Sequence, residues 1–359
     1  MQRLLDDQQR AEDETTIAAL RAANKELSRD ADKLRVQLGK QRLFSEQVAG
    51  SIKALDPYPY FRYSRAQKTC NPIVPVLEIS DLHVGEVVQP NEVEGFNKFN
   101  WAIAQAGLFG IVTDFLQWVE VQRGFYTIEE CAVMLKGDYV SGDIHAELLA
   151  TNEFPLPVQT ANAGTLIGEV LRRVAGHFKR VTVWGCGADN HGRLQPKPQA
   201  KQKAANSMSF LVHHIAASAV SRCPNIRMEL SEGIKQLATV NGKRFLIMHG
   251  DTLKGWAGLP WYAFAREAGR EAIRRMFTSK GFHYLGIAHF HTPCFHEARV
   301  LVNGSLSGTS EFDYGCGRHA LPCQIAYMVH PSFGVFNFTP FIRRDVKQPA
   351  INQNTISEP

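Results

Sequence analysis

Ile73-Val74-Pro75-Val76-Leu77-Glu78-Ile79-Ser80-Asp81-Leu82-His83 is an apolar run that stops abruptly at an acid and an imidazole two positions apart. A short apolar segment rich in β-branched residues reads as a buried strand, here weakened by its Pro. In extended backbone, residues two apart point to the same side. Asp81 and His83 can therefore present two ligand groups to one site. A lone Asp-x-His is more often a turn with a satisfied histidine, so the reading depends on what the rest of the chain repeats.

The chain repeats it four times. Cys131-Ala132-Val133-Met134-Leu135 leads to Gly137-Asp138, and Val181-Thr182-Val183-Trp184 to Asp189-Asn190-His191. Phe245-Leu246-Ile247-Met248 ends in His249-Gly250-Asp251, and Tyr284-Leu285-Gly286-Ile287 is followed by His289-Phe290-His291. Helical periodicity fills the intervals at 99–121, 158–178, 200–220 and 261–277. The remainder is strand-rich, at 299–302, 324–329 and 335–338. Alternating elements followed by strand-to-strand connections predict an α/β (α+β) domain with mixed sheets. In such sheets, groups at the carboxyl ends of strands converge where ligands bind.

The ordered series resembles the calcineurin-like metallophosphoesterase superfamily, with its Asp-x-His, Gly-Asp, Asn-His, His and His-x-His motifs, over roughly residues 73–305. The resemblance implies a four-layer sandwich, two mixed β-sheets flanked by helices. It also implies two divalent metal ions: Asp81, His83 and His291 at the first, Asn190, His249 and His289 at the second, and Asp138 bridging both. Carboxylate, imidazole and amide oxygen without thiolate suit Mn, with Fe or Zn as alternatives. Two such ions, about 3.5–4 Å apart in known sites, lower the pKa of a bridging water and clamp phosphoryl oxygens. The implied reaction is phosphoester hydrolysis by a metal-bridging hydroxide, with His191 as the catalytic histidine that serves the transition state or the leaving group.

The third motif departs from the family pattern. It reads Ala188-Asp189-Asn190-His191-Gly192, with an acid before Asn and none after His. Asp189 or Asp143 is the candidate substitute for orienting His191. In the last motif Ala288 stands where Gly is usual, and Asn303-Gly304-Ser305 resembles the turn that follows it in relatives. His145, His213, His214 and His283 fit no motif, and of these His145 lies closest to one.

The 359 residues are 44% hydrophobic and 21% charged, values of a chain that can bury a sizeable core. No run of 18 or more apolar residues suggests a membrane span, and the N-terminus turns acidic at once, so the expectation is a cytoplasmic protein without membrane contact. Seven scattered cysteines, none in a C-x-x-C pair, read as reduced and mostly buried thiols. Residues 1–55 differ from the rest. Ile17, Asn24, Ala31 and Leu38 repeat at one heptad position, and Leu20, Leu27, Leu34 and Gln41 at another. That spacing predicts a helix forming a short coiled coil, with homo-oligomerisation through residues 10–48; the alternative is an amphipathic helix on its own globular domain. A linker at 56–69, a catalytic domain at 70–345 and a tail at 346–359 complete the expected division.

The metal motifs do not choose the substrate. Between Arg193 and Lys280 stand 15 Lys/Arg against 5 Asp/Glu, which points to an anionic partner such as DNA or RNA. Arg193, Lys197, Lys201 and Lys203 follow His191 directly, and Trp256, Trp261, Tyr262 and Phe264 offer rings for stacking. A nuclease or polynucleotide phosphodiesterase, similar to the nuclease subunits of break-repair complexes, is the first reading. A small-molecule or protein phosphatase is the second, and an oligomeric binding protein with weak or no catalysis the third.

Overall fold

A computed structural model describes residues 2–53, 69–255 and 260–345. Most of the expected linker, the tail and Trp256 lie outside the described residues. The chain divides into two units, Met1–Arg65 and Ala66–Pro359.

In the first unit, α1 (Gln2–Lys53) is a single helix. Its sequence has no Pro and is rich in Ala, Leu, Gln, Arg and Lys, residues that lose little side-chain freedom in a helix.

The second unit opens with β1 (Thr69–Pro72), β2 (Val74–Ile79), α2 (Trp101–Arg123), β3 (Tyr126–Thr127) and β4 (Glu130–Leu135). It continues through α3 (Ala146–Thr151), α4 (Leu156–Ala175), β5 (Arg180–Cys186), α5 (Met208–Ala219), β6 (Ile226–Ser231), β7 (Lys235–Val240) and β8 (Lys243–Met248). Then follow α6 (Trp261–Arg275), β9 (Tyr284–Ile287), β10 (Cys294–His296), β11 (Val300–Val302), α7 (Glu311–Gly315), β12 (Cys323–His330) and β13 (Gly334–Ile342).

Two sheets carry the unit. The six-stranded one runs β13-β12-β2-β4-β5-β6, with β2, β4, β5 and β6 parallel and β12 antiparallel to both of its neighbours. The five-stranded one runs β10-β11-β9-β8-β7, parallel through β11, β9 and β8 and antiparallel at each edge. Both sheets are therefore mixed. One face of the larger sheet packs on α2, α4 and α5 through Ile79, Leu135, Val183, Ile111, Ile167 and Val212. Its other face meets the smaller sheet through Val76, Met134, Phe245, Ile247 and Tyr327. The outer face of the smaller sheet is covered by Ala263 and Phe264 of α6. Helix, sheet, sheet and helix thus stack as a four-layer sandwich.

Pro75 sits inside a central strand, where a missing N–H is normally costly. The ladder to β4 begins only at Val76, so Pro75 has a paired neighbour on the β12 side alone. Among the described residues, α2 is the one helix long and apolar enough by length and composition to cross a membrane. It buries Leu108, Ile111, Val112, Phe115 and Val119 against the larger sheet.

The helix expected at 200–220 begins only at Met208, because Ser207 caps it by accepting from the Ser209 N–H. β6 and β7 escape the periodicity reading, since both are edge strands with mixed exposure rather than buried apolar runs. The six cysteines whose side chains are described are free thiols; Cys131, Cys186 and Cys323 are buried, Cys223 and Cys294 half-buried, and Cys316 exposed.

Between the sheets, Lys136 on the segment after β4 pairs with Glu78 of β2 and donates to the Ile287 carbonyl of β9 at 2.6 Å. Tyr327 of β12 donates to the same carboxylate at 3.0 Å. All three side chains are fully buried, and together they pin both sheets directly beneath the strand ends that carry the ligand motifs.

Candidate metal centre

Each ligand motif leaves its strand at the carboxyl end, and in three of the five the ligands themselves sit on left-handed backbone. Asp81 (φ 51°), His83 (47°), Asp138 (50°), His289 (70°) and His291 (54°) all have positive φ. None is glycine, and such conformations persist only where surrounding structure enforces them. The enforcement is visible. The Asp81 N–H donates to the Gly137 carbonyl at 3.0 Å, and the His83 N–H to the Asp138 carbonyl at 3.2 Å. The Asp81 carbonyl accepts from the Leu306 N–H at 2.9 Å and from Ser305 Oγ at 3.2 Å. The Asn303-Gly304-Ser305 turn therefore braces the first motif.

The side chains form overlapping groups. Ligand atoms of Asp81, His83 and His291 lie within 4.8 Å of one another, as do those of Asp138, His249 and His289. A third group joins His83, Asp138 and His191. Nε2 of His249 stands 2.9 Å from Asp138 Oδ2 and 3.0 Å from Asn190 Oδ1. Nε2 of His83 faces Nε2 of His291 at 3.2 Å. All eight residues singled out in the sequence are thus brought to one place.

The donor set fits divalent cations. Asp81 Oδ2 and His83 Nδ1 are buried without a hydrogen-bond partner, which is costly unless something else meets them. His249 is oriented from behind: its Nδ1 lies 2.9 Å from the Lys136 carbonyl, which can only accept, so Nδ1 carries a proton and Nε2 is the nitrogen turned to Asp138 and Asn190. The charges tell the same story. Burial and neighbouring imidazoles push His83 down to about 3 and His289 to about 4, so both stay neutral. Burial also disfavours charge on His249 and His291. There the carboxylates of Asp138, and of Asp313 and Asp81 respectively, override it and raise both to about 10. A metal ligand must be a neutral imidazole, so a cation here would take the place of the proton that these carboxylates otherwise hold on His249 and His291. Clusters of His and Asp here can hold metal ions.

The altered third motif has a structural answer. His191 Nδ1 lies 2.7 Å from the Ser141 carbonyl, so a backbone oxygen, neither Asp189 nor Asp143, orients the ring and leaves Nε2 free. Asp189 is fully buried and turned to another purpose. It accepts from the Asp138 N–H at 2.8 Å, the Gly192 N–H at 3.2 Å, Ser207 Oγ at 2.8 Å and Ser209 Oγ. A Cβ at position 192 would meet Asp189 Oδ1 at 2.8 Å and Ser207 Oγ at 2.6 Å. The acid before Asn190 and the glycine after His191 are therefore one exchange: the carboxylate fills the space a side chain at 192 would need.

Gly142 packs where nothing larger fits. With φ at 78°, a Cβ there would come within 2.1 Å of the His191 carbonyl oxygen. Gly142→Ala is expected to cost about 2–4 kcal/mol from left-handed strain and the clash together. A thermal melt followed by circular dichroism measures this, and an unchanged midpoint would contradict the close approach.

Asp313 and Glu86 were not foreseen. Asp313 lies 3.6 Å from His291 Nδ1, on the short helix α7, where it completes a capping box with Ser310. Glu86 stands 3.8 Å from His83 Nδ1, and burial pushes its carboxyl up to about 7. Ser310-Glu311-Phe312-Asp313 does carry the capping-box spacing, which could have marked a helix start but not its neighbour.

The cleft over the site has a volume of about 930 Å³. Trp261, Phe290 and Phe312 are among its apolar lining, and Arg318, His319 and His145 line it as well. His145 thus reaches the cleft, whereas His213 is a core residue bonded to the Tyr139 hydroxyl at 2.8 Å. The basic segment is placed differently from its expected role. Arg193 is spent on the carbonyls of Asn190, Gln195 and Pro196, and Lys203 pairs with Asp251 in a largely buried position. Lys197 and Lys201 remain exposed. Phe264 is buried against Phe290, so of the described rings among those expected to stack, Trp261 is the one on the cleft wall.

No family model and no curated protein matches this chain. Among solved structures, Vps29 of Chaetomium thermophilum is similar over 75% of this chain and 99% of its own, at 11% identity and a TM-score of 0.26. AQ665 of Aquifex aeolicus, described as a protein of unknown function, is similar over 67% and 93%, at 13% identity and 0.29. A second Vps29 structure, complexed with a cyclic peptide, covers 76% and 98% at 9% and 0.27. Likeness this distant adds nothing to what the site's own geometry says.

Proposed function

We propose that this chain is a metal-dependent phosphoester hydrolase with two divalent ions, Mn being the best match to the donors. The observation that supports this most is the convergence of seven carboxylate, imidazole and amide groups beyond the carboxyl ends of strands, five of them on left-handed backbone, with Asp138 shared between neighbouring groups. Asp81, His83 and His291 would hold one ion, Asn190, His249 and His289 the other, and Asp138 both. Bound together, such ions supply a nucleophilic water at neutral pH and neutralise phosphoryl oxygens.

The chain's own residues would do the rest. Lys136 and Ser141 carbonyls hold two imidazoles in the tautomer that frees Nε2. Through its backbone contact Asp189 fixes the Asp138 N–H, and Asp138 Oδ1 accepts from the His191 N–H at 3.0 Å. His191 Nε2 is then available to hold a proton for the departing oxygen. Arg318 offers a charged donor to the phosphate or its substituent, and Trp261, Phe290 and Phe312 an apolar surface for the alcohol.

A phosphodiester, with a polynucleotide as one case, is the finer reading. Lys197 and Lys201 beyond His191 and the exposed edge of Trp261 support it. A small phosphate ester is the second reading, favoured by a cleft sized for one compact ligand and by the pairing of Lys203 with Asp251. Both readings share one test. Chelation is expected to abolish hydrolysis of aryl phosphate esters and added Mn to restore it; full turnover after exhaustive chelation would remove the metal. With Mn present, cleavage of single-stranded DNA or RNA that weakens steeply with salt supports the polynucleotide reading. Cleavage of small diesters alone supports the other.

A further inference from the structure

α1 carries a seam that the proposed reaction leaves unused. Ile17, Leu20, Leu27, Leu34 and Leu38 recur at heptad spacing and are between 47% and 69% exposed. Among the described side chains of α1 this apolar row faces water, and covering such a face is where most helical stability comes from. The same row would be covered completely by a copy of itself.

We propose that α1 pairs with α1 of a second copy of this chain as a parallel, in-register, two-stranded coiled coil over about residues 17–41. Three features choose this occupant and this direction. First, Leu20, Leu27 and Leu34 occupy one core position, while the other opens with Ile17 and Asn24, a β-branched residue and the polar residue that specifies register and strand number. Second, Asn24 falls at a core position. Only in a parallel, in-register pair does it face its own counterpart, where each amide can both donate and accept; an antiparallel partner would bury it unpaired.

Third, the flanking charges discriminate direction. The edge next to the leucine position carries Arg21, Ser28, Arg35 and Arg42, and the opposite edge Thr16, Ala23, Asp30 and Gln37. In a parallel pair the two unlike edges meet, which sets Asp30 of each copy against Arg35 of the other and opposes no like charges. In an antiparallel pair each edge meets itself, which brings the arginine edge against an arginine edge. The contacts Asp30–Lys33 at 2.9 Å and Asp32–Arg35 at 3.5 Å within one helix are solvent-exposed and compete weakly.

The full-length protein supplies the test. Sedimentation equilibrium at micromolar concentration is expected to give twice the 40.1 kDa chain mass. The double variant Leu27→Glu/Leu34→Glu should halve it. Independently, Leu20→Cys treated with a short bismaleimide should yield a cross-linked dimer above the background of the native protein. Antiparallel pairing centred on the seam would hold the two positions 20 about 27 Å apart, at 1.5 Å per residue, beyond the reagent's reach. A monomer mass, a trimer mass, a dimer that survives both glutamates, or a dimer in which the Leu20→Cys variant gives no added cross-link would each overturn the proposal.

Discussion

Asp138→Asn is expected to lower hydrolysis by at least about 10³-fold, the scale on which charge stabilisation at a reacting centre is lost. Asp138 is fully buried among His249, His191 and His83, and these imidazoles hold its carboxyl well below the ordinary range despite burial. It is an anion by construction. Asparagine keeps the shape but removes the charge, and one of its two terminal atoms becomes a donor that cannot ligate. The variant should also retain less metal, which elemental analysis reads without reference to turnover. Its backbone should be unaffected, because Asp189 holds the Asp138 N–H rather than the side chain. Wild-type rates and metal content in this variant would remove Asp138 from the centre.

His191→Ala is expected to act selectively. If Nε2 holds the proton for the leaving oxygen, loss of the ring should slow esters of alkyl alcohols by about 10²–10⁴-fold. Esters of acidic phenols leave without help and should slow far less. The ring's position depends on the Ser141 carbonyl and, through the backbone, on Asp138. Neither contact involves a metal ligand's side chain being displaced by alanine, so metal content should hold. Equal losses across both kinds of ester, with unchanged metal, would assign His191 to phosphate binding instead.

The sequence made the central strands and their ligands legible for the same reason. A strand buried on both faces is apolar along nearly all of its length, Glu78 of β2 being held by Lys136 and Tyr327, so the polar residues at its carboxyl end stand out. Ile73 to Ile79, Cys131 to Leu135 and Phe245 to Met248 each announce the next ligand this way. The edge strands β6 and β7 carry no such contrast. Asp313 could not be read because it reaches His291 from a separate helix, joined to it by tertiary packing alone. Charge misled in one respect. Counting Lys and Arg between 193 and 280 could not show that Lys203 pairs with Asp251 in a largely buried position, or that Arg193 is tied to the carbonyls of its own loop. The exchange of Asp189 with Gly192 looked like a defect in the motif until the space between them was visible.

Anomalous diffraction from crystals grown with Mn tests the dinuclear centre most directly. Two peaks are expected, one among Asp81, His83 and His291 and one among Asn190, His249 and His289, with Asp138 between them. A single peak, or none within reach of Asp138, would contradict it.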